Sequence, residues 1–487
     1  MRLAAFILCL AFVGVAARAE DTVWVCLRGT PSAQGTCRLP AGTPAPALPE
    51  WHFTSKTDRR YKTGLAVWAS PAVALVRGRP MAFIGGYDQT MHALDLIDKE
   101  QVWFKVTNGE IQEAPAVAPV DGRPVVFWGS ADRTVYACRA EDGARLWTRE
   151  LVRATSTTGD ASLSAPLVHG GVLYITCFVY DKALSRSDQK GLLFALDTRD
   201  GKPLWQYEIS QGPMSSPVGR ALDGRFVVFV AARKGLLQAL DVSSGHPRPL
   251  WQFQMPHEVL GSPAIEEETD SPLLFLGSKF GNLIAIDART GEERWQKMAG
   301  NWIDNTACTG ELAGPPAAAS AKAGERVVFA GSHDYNVYAF RARDGELLWR
   351  RRLGGEVYSA PAFFHLNGEP ALAVSALDNH LYVLDARDGS VITSYFTGTP
   401  IWDKVSKGET LWGSPVILEA EGQTAIIHGS FNDVVYVLPL EGECSLRAQV
   451  RSSASLWYSL GAAFILFVGI VLPLVLLLPP RPGEKRE

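Results

Sequence analysis

One phrase recurs eight times between Trp51 and Leu440, and a chain that repeats itself at this period has few folds open to it. The stretch VVFAGSHDYNVYAFRARDGELLWRR, Val327 to Arg351, shows the phrase. Two short apolar runs flank a Gly-Ser-His-Asp turn, a Gly-containing turn follows, and Trp349 comes four residues after Gly345. The closing aromatics Trp51, Trp103, Trp147, Trp205, Trp251, Trp295, Trp349 and Tyr395 are 52, 44, 58, 46, 44, 54 and 46 residues apart. Helical repeats would place apolar residues three and four apart, whereas here they come in short runs, several to each period. Each unit offers four strand candidates: the segment around Ser/Ala-Pro, the VVF-type run, the VYAF-type run and the segment bearing the aromatic. Four strands of this kind make one blade of a propeller.

A single blade leaves both faces of its sheet bare, so each packs on a neighbour, and a Trp at a fixed position fills the gap between sheets. Trp51, Trp103, Trp147, Trp205, Trp251, Trp295 and Trp349 are therefore read as docking residues. Gly permits positive φ in the turns, and Asp or Asn there bonds nearby backbone N–H groups. Recurrence in every unit marks these residues as structural rather than catalytic. If the Ser/Ala-Pro segment is the innermost strand, the residues just before it line one mouth of the central channel. These are Trp68, Glu113, Met214, Leu260, Tyr358 and Trp412, with Trp402 in the long link before the last of them. Aromatic and Met side chains at such a rim suit a protein or peptide partner, and equally suit packing between blades.

The consensus of Ser-Pro-Ala, an apolar run, Ala-Leu-Asp and Gly-x-x-x-Trp, as in GKPLW and GEERW, resembles the PQQ-like β-propeller repeat (tryptophan-docking repeat) family. Quinoprotein dehydrogenases and the envelope assembly lipoprotein BamB belong to it. The resemblance implies an all-β, eight-bladed propeller of four-stranded antiparallel blades over residues 51–442, and it leaves function open because one fold hosts many. The family's dehydrogenases set a Cys-Cys disulfide and a Trp against the quinone and hold calcium with Glu, Asn and Asp. This sequence has no Cys-Cys pair. Its nearest approach is GNWIDNTACTGELAGPP, Gly300 to Pro316, read as a long link ahead of an inner strand at Gly314-Pro315-Pro316. The link gathers Trp302, Asp304, Asn305 and Glu311, which suit either a Trp platform with oxygen ligands for a hard cation or an ordinary polar loop. The expected function is a non-catalytic protein-binding scaffold with no cofactor, by resemblance to BamB in envelope protein assembly. The alternative is a membrane-bound quinoprotein oxidoreductase using PQQ and calcium, and a third reading is a ligand-sensor ectodomain.

The two ends set the compartment. Residues 1–19 combine an early Arg, an apolar stretch and small residues before Ala19, the layout of a secretory signal. Residues 20–50 hold Cys26 and Cys37, the candidate disulfide in an oxidising compartment, and a Pro-rich linker. Leu456 to Leu478 is 23 residues without a charge; at a rise of roughly 1.5 Å per residue it reaches about 35 Å, enough for a bilayer core of about 30 Å. Trp457 and Tyr458 precede most of this helix, and Arg481, Lys485 and Arg486 follow it. A single-pass, type I membrane protein is expected, with a periplasmic or extracellular propeller, a juxtamembrane linker at 443–455 and a cytoplasmic tail at 479–487. Cys138 and Cys177 fit a disulfide and two buried thiols equally; Cys308 and Cys444 are unassigned. The balance of 47 Lys+Arg against 51 Asp+Glu, without a long run of either sign, argues against a nucleic-acid partner. No His-Glu-x-x-His, zinc-ligand spacing or Gly-x-Ser-x-Gly occurs, so no metal ligand or catalytic nucleophile is assigned.

Overall fold

The apolar runs of each unit pair as antiparallel strands, and the units stack into a closed ring. The computed structural model describes residues 36–38, 51–54, 69–153, 158–181, 190–210, 212, 215–266, 269–312, 324–397, 413–420, 423–429 and 434–440, the first two stretches as backbone alone. They form eight sheets, here blades I to VIII, and six of these are four-stranded meanders in chain order. Blade VI is representative: Cys308–Leu312, Glu325–Gly331, Asn336–Arg341 and Leu347–Arg352 run from the channel outward, with Phe329 between Cys308 and Ala339. The first strands of neighbouring blades approach one another, which makes the Ser/Ala-Pro strand the innermost. In blade III this strand comes in two pieces, Thr158–Leu163 and Leu167–His169, both against Val172–Asp181.

Blade VIII is built from both ends of the chain. Val416–Ala420, Gln423–Gly429 and Val434–Leu440 supply its inner three strands, and Trp51–Thr54 supplies the outer one, with Trp51 opposite Val437. The ring is thus interlocked by strand pairing. A fifth strand, Thr36–Arg38, runs parallel to Val416–Ala420 on its channel side. Eight apolar clusters fill the gaps, one between each neighbouring pair of blades, and Val73, Leu94, Val416 and Val437 join blade I to blade VIII.

The docking Trp residues explain why Gly and Trp recur together. Indole N–H groups of Trp103, Trp147, Trp251, Trp295 and Trp349 donate to the next blade, to the carbonyls of Ala140, Thr198, Ala288, Ala342 and Ala386 at 2.7 to 3.1 Å. Each ring also lies on a Gly of that next blade. A Cβ on Gly345 would stand 2.7 Å from Cδ2 of Trp295, and Gly345 has φ +69°, so shape and backbone both demand Gly there. Trp205 departs from the rule: like Trp251 it is partly buried, but nothing stands within 4 Å of a Cβ on Gly245, and its ring tilts against Tyr174 at 5.8 Å. The side chain of Trp51 lies outside the described residues.

Two expectations are corrected by register. Trp103, Trp147, Trp205, Trp251, Trp295 and Trp349 each stand opposite a third-strand Ala, as Trp295 does with Ala285 and Trp349 with Ala339. In blade VII this place belongs to Thr393, opposite Val383, not to Tyr395, which reaches Tyr436 at 5.8 Å instead. The interval from Trp349 to Thr393 is 44 residues, as between Trp103 and Trp147, so spacing favoured Thr393 where aromatic character favoured Tyr395. In blade VI the inner strand is Cys308–Leu312, not Gly314-Pro315-Pro316, because Cys308 pairs Phe329 as Ala264 pairs Phe275 in blade V. Thr306-Ala307 takes the Ser-Pro place, and the extra residues 313–323 fall after the inner strand rather than before it.

Cys138 and Cys177 are buried free thiols, and Cys308 is buried with its thiol donating to Thr309 O at 3.6 Å. Burial pushes the first up to about 11 and the second up to about 12, which keeps both protonated and unreactive. The Cys26–Cys37 pair, Cys444, the secretory signal and Leu456–Leu478 lie outside the described side chains. Among the described residues no helix is long and apolar enough to cross a membrane.

Candidate functional site

Strand polarity sorts the connections onto two faces of the ring. Links from an outer strand to the next inner strand share one face with the turns between second and third strands; the remaining turns lie opposite. The described strands that flank the long segments 153–166, 177–191 and 396–415 meet them at the link face. A serine collar surrounds the channel there. Ala165 N–H donates to Ser216 Oγ at 3.2 Å, Ser216 N–H to Ser262 Oγ at 2.9 Å, Ala360 N–H to Ser414 Oγ at 3.0 Å and Ser414 N–H to Ser70 Oγ at 2.9 Å. The Ser of Ser-Pro therefore ties one inner strand to the next.

The collar aligns two groups of candidates that the sequence kept apart. Leu260, Asp304 and Tyr358 each lie four residues before the first paired residue of an inner strand, at Ala264, Cys308 and Ala362. Glu113 holds the place of Asn305, three residues before Ala116 and Cys308 respectively. Asp304 is thus a rim residue and not part of an inserted loop. It is 2% exposed and accepts from His333 Nε2 at 2.7 Å, and the His333 ring stacks on Tyr358 with centroids 3.8 Å apart. Asn305 Nδ2 donates to the carbonyls of Gly331 and Val357 at 3.1 and 3.3 Å. Asp304 Oδ2 and Asn305 Oδ1 are buried with no protein partner, two unmet acceptors at one corner of the rim.

Glu311 does not join them; it is exposed, within Cys308–Leu312 and opposite Arg326. Trp302 is 39% exposed, with Lys279 Nζ 5.0 Å from its ring centroid. Glu113 and Leu260 are half-buried. Burial, with no countercharge, pushes the Glu113 carboxyl up to about 7. His428, on the second strand of blade VIII, is buried beside Ser375 Oγ at 3.4 Å, and burial lowers it to about 4. It borders a cavity of about 60 Å³ with Tyr358, Ser375 and His380. Burial and Glu356 both raise the Tyr358 phenol. Trp68, Met214, Trp402 and Trp412 lie outside the described residues.

The sequence motifs assigned no role to His333. Its place in the turn is held by Ala131, Lys279 and Leu377 in other blades, and that departure from the repeat was the available clue. A surface cluster was missed too. Phe280 and Met298 are 66% and 68% exposed, the His257 ring stacks on Phe280 at 4.1 Å, and pairing of Asn282 with Met298 brings them to the corner that holds Trp302.

The profile of the family described as outer membrane protein assembly factor BamB matches residues 51–297, 233–316 and 279–457. The chain belongs to this BamB family of PQQ-like propellers. Among solved structures, the BamB-family chain is similar to BamB from Moraxella catarrhalis, at 18% identity over 81% of this chain and 97% of that one, with a TM-score of 0.52. It is also similar to quinohemoprotein alcohol dehydrogenase from Comamonas testosteroni, at 12% identity over 89% and 82%, with a TM-score of 0.59. At these identities the likeness is one of fold. The β-alanine-activating enzyme of Danio rerio is 33% identical over 117 residues, 23% of this chain and 9% of that protein. The chain thus matches about a tenth of the length of this curated relative.

The candidate residues for a quinone with calcium, among those described, do not come together as such a site would need. Asp304 and Asn305 offer two free oxygens, whereas calcium takes six to eight. Glu311 is not beside them, and Trp302 covers Lys279 at the surface.

Proposed function

We propose that this BamB-family chain is a membrane-held, extracytoplasmic platform that binds a protein partner on its link face and serves envelope protein assembly. The observation that carries the reading is the cluster of Phe280, Met298 and Trp302. Ring closure uses none of them: the blade V docking residue is Trp295, and these three side chains stand 66%, 68% and 39% exposed. Exposed aromatic and Met groups in one corner, rimmed by Lys279 and Glu258, have the composition of an interface centre with a polar edge. Chain direction adds support. Leu440 ends the third strand of blade VIII on the face opposite the links, and the apolar stretch begins after 15 more residues. A span at Leu456–Leu478 turns the link face away from the bilayer.

The triple substitution Phe280→Ala, Met298→Ala and Trp302→Ala is expected to leave the melting temperature within about 2 °C of the parent, since exposed sites away from special features change stability little. In cells it should reproduce the envelope defect of a deletion strain at equal protein level. Full complementation by this variant would remove the cluster from the function.

The oxidoreductase reading draws on one observation, the two unmet oxygens of Asp304 and Asn305. Full-length protein supplied with PQQ and calcium is expected to show no dye-linked alcohol or sugar oxidation. Turnover that disappears in Asp304→Ala with the fold intact would promote the enzyme over the platform.

A further inference from the structure

An inner strand has a second edge that faces the channel, and unpaired N–H and C=O groups on such an edge are a template for another strand. Among the described residues, the inner strands of blades I to VII have no strand on that edge. Blade VIII differs. Thr36–Arg38 lies along Val416–Ala420 in parallel register, Thr36 beside Ile417, Cys37 beside Leu418 and Arg38 beside Glu419, and it also approaches Ala362–Leu366 of blade VII. The chain has placed a piece of itself in its own channel.

By length, the connection to this piece exceeds the distance it has to span. Leu39 to Glu50 joins it to the outer strand Trp51–Thr54 and includes Pro40, Pro44, Pro46 and Pro49. From the channel edge to the outer strand is four strand spacings, about 19 Å. Twelve residues of Pro-rich chain extend about 37 Å at ~3.1 Å each. The tether therefore neither pulls Thr36–Arg38 into place nor unravels blade VIII if the segment leaves. The paired stretch is also short: among the described residues it covers Ile417 to Glu419, within the longer strand Val416–Ala420.

We propose that the channel edge of Val416–Ala420 is a strand-addition site for an extended, proline-free polypeptide segment, and that Thr36–Arg38 is its displaceable resident. The proposal deepens the platform reading, on which it rests for its purpose, by naming an unfolded polypeptide as the partner. Side chains vary between such partners while backbone hydrogen bonding does not, so one edge serves many sequences.

The test uses two states of one full-length molecule. Thr36→Cys and Ile417→Cys, with Cys26, Cys37 and Cys444 changed to Ser, place two thiols on neighbouring parallel strands, where Cα separations of about 5 Å permit a disulfide. The probe is a labelled peptide copying residues 32–39 with Ser for Cys37. The oxidised protein is expected to exclude the peptide. Reduction should tighten binding at least roughly tenfold, because the resident then leaves by a tether-limited equilibrium, and a peptide with Pro at the centre should not bind in either state. Failure of the disulfide to form, equal binding before and after reduction, or no binding to the reduced protein each overturns the proposal. Complementation by the Phe280, Met298 and Trp302 variant is a separate outcome that tests the platform reading alone.

Discussion

Replacing Trp295 by Ala should lower the unfolding free energy by about 3 to 5 kcal/mol, the range for truncating a large buried aromatic. Trp295 is 7% exposed, tilts against Phe275 at 5.8 Å and Phe340 at 6.2 Å, and donates to Ala342 O at 2.7 Å. Its loss strips the interface between blades V and VI, and in a ring of nearest-neighbour contacts no other element refills that gap. Trp205→Ala should cost about half as much, because its ring is only partly buried and lacks the Gly seat, and burial sets the size of the loss. Gly345→Ala should also destabilise, by roughly 2 to 4 kcal/mol from left-handed backbone strain and overlap with the indole. Combined with Trp295→Ala it should cost less than the sum, because the cavity removes the overlap. Denaturant melts of the four variants check this, and equal losses for Trp205 and Trp295 would contradict the docking account.

Glu113 and His428 should give the stability a hidden pH dependence. The folded Glu113 carboxyl is pushed up to about 7 from an ordinary 4.5, so the unfolded chain gives up its proton first. That contribution is fully present below pH 4.5 and is lost as pH rises to 7. His428 is held down to about 4 from an ordinary 6.5, so the unfolded chain takes up a proton first on acidification. Its contribution is present above pH 6.5 and is lost as pH falls to 4. At ~1.4 kcal/mol per pH unit each swing is on the order of 3 kcal/mol, and the two are opposite in sign where they overlap. The parent should therefore be nearly flat between pH 4.5 and 6.5. Glu113→Gln should lose stability on acidification through that window, and His428→Gln should gain it. Three parallel stability curves would refute both assignments.

Much of the ring was legible because it is written eight times. Alternating turns and apolar runs set the blades, and the Gly-Trp pairing follows from one ring resting on one backbone. Errors arose where a unit departs from the phrase. Tyr395 attracted the docking role through its size, though Thr393 stands in register opposite Val383. The Pro pair at 315 and 316 attracted the inner strand of blade VI, though Thr306-Ala307 takes the Ser-Pro place. The rim was only half legible. Sequence position placed Leu260 and Tyr358 there, but Asp304 joined them only once the strand start moved to Cys308, and its contact with His333 spans 29 residues between separate elements. Exposure of Phe280 could not be read locally, because the strands on either side of it are buried throughout.

The working face can be identified directly by photo-crosslinking full-length protein in its native membrane. A benzophenone amino acid replaces either Met298, 68% exposed on the link face, or Leu347, 48% exposed where the outer strand of blade VI begins on the opposite face. The platform reading predicts a discrete protein adduct from position 298 and none from position 347. Adducts from position 347 alone, or equal yields from both, would contradict it.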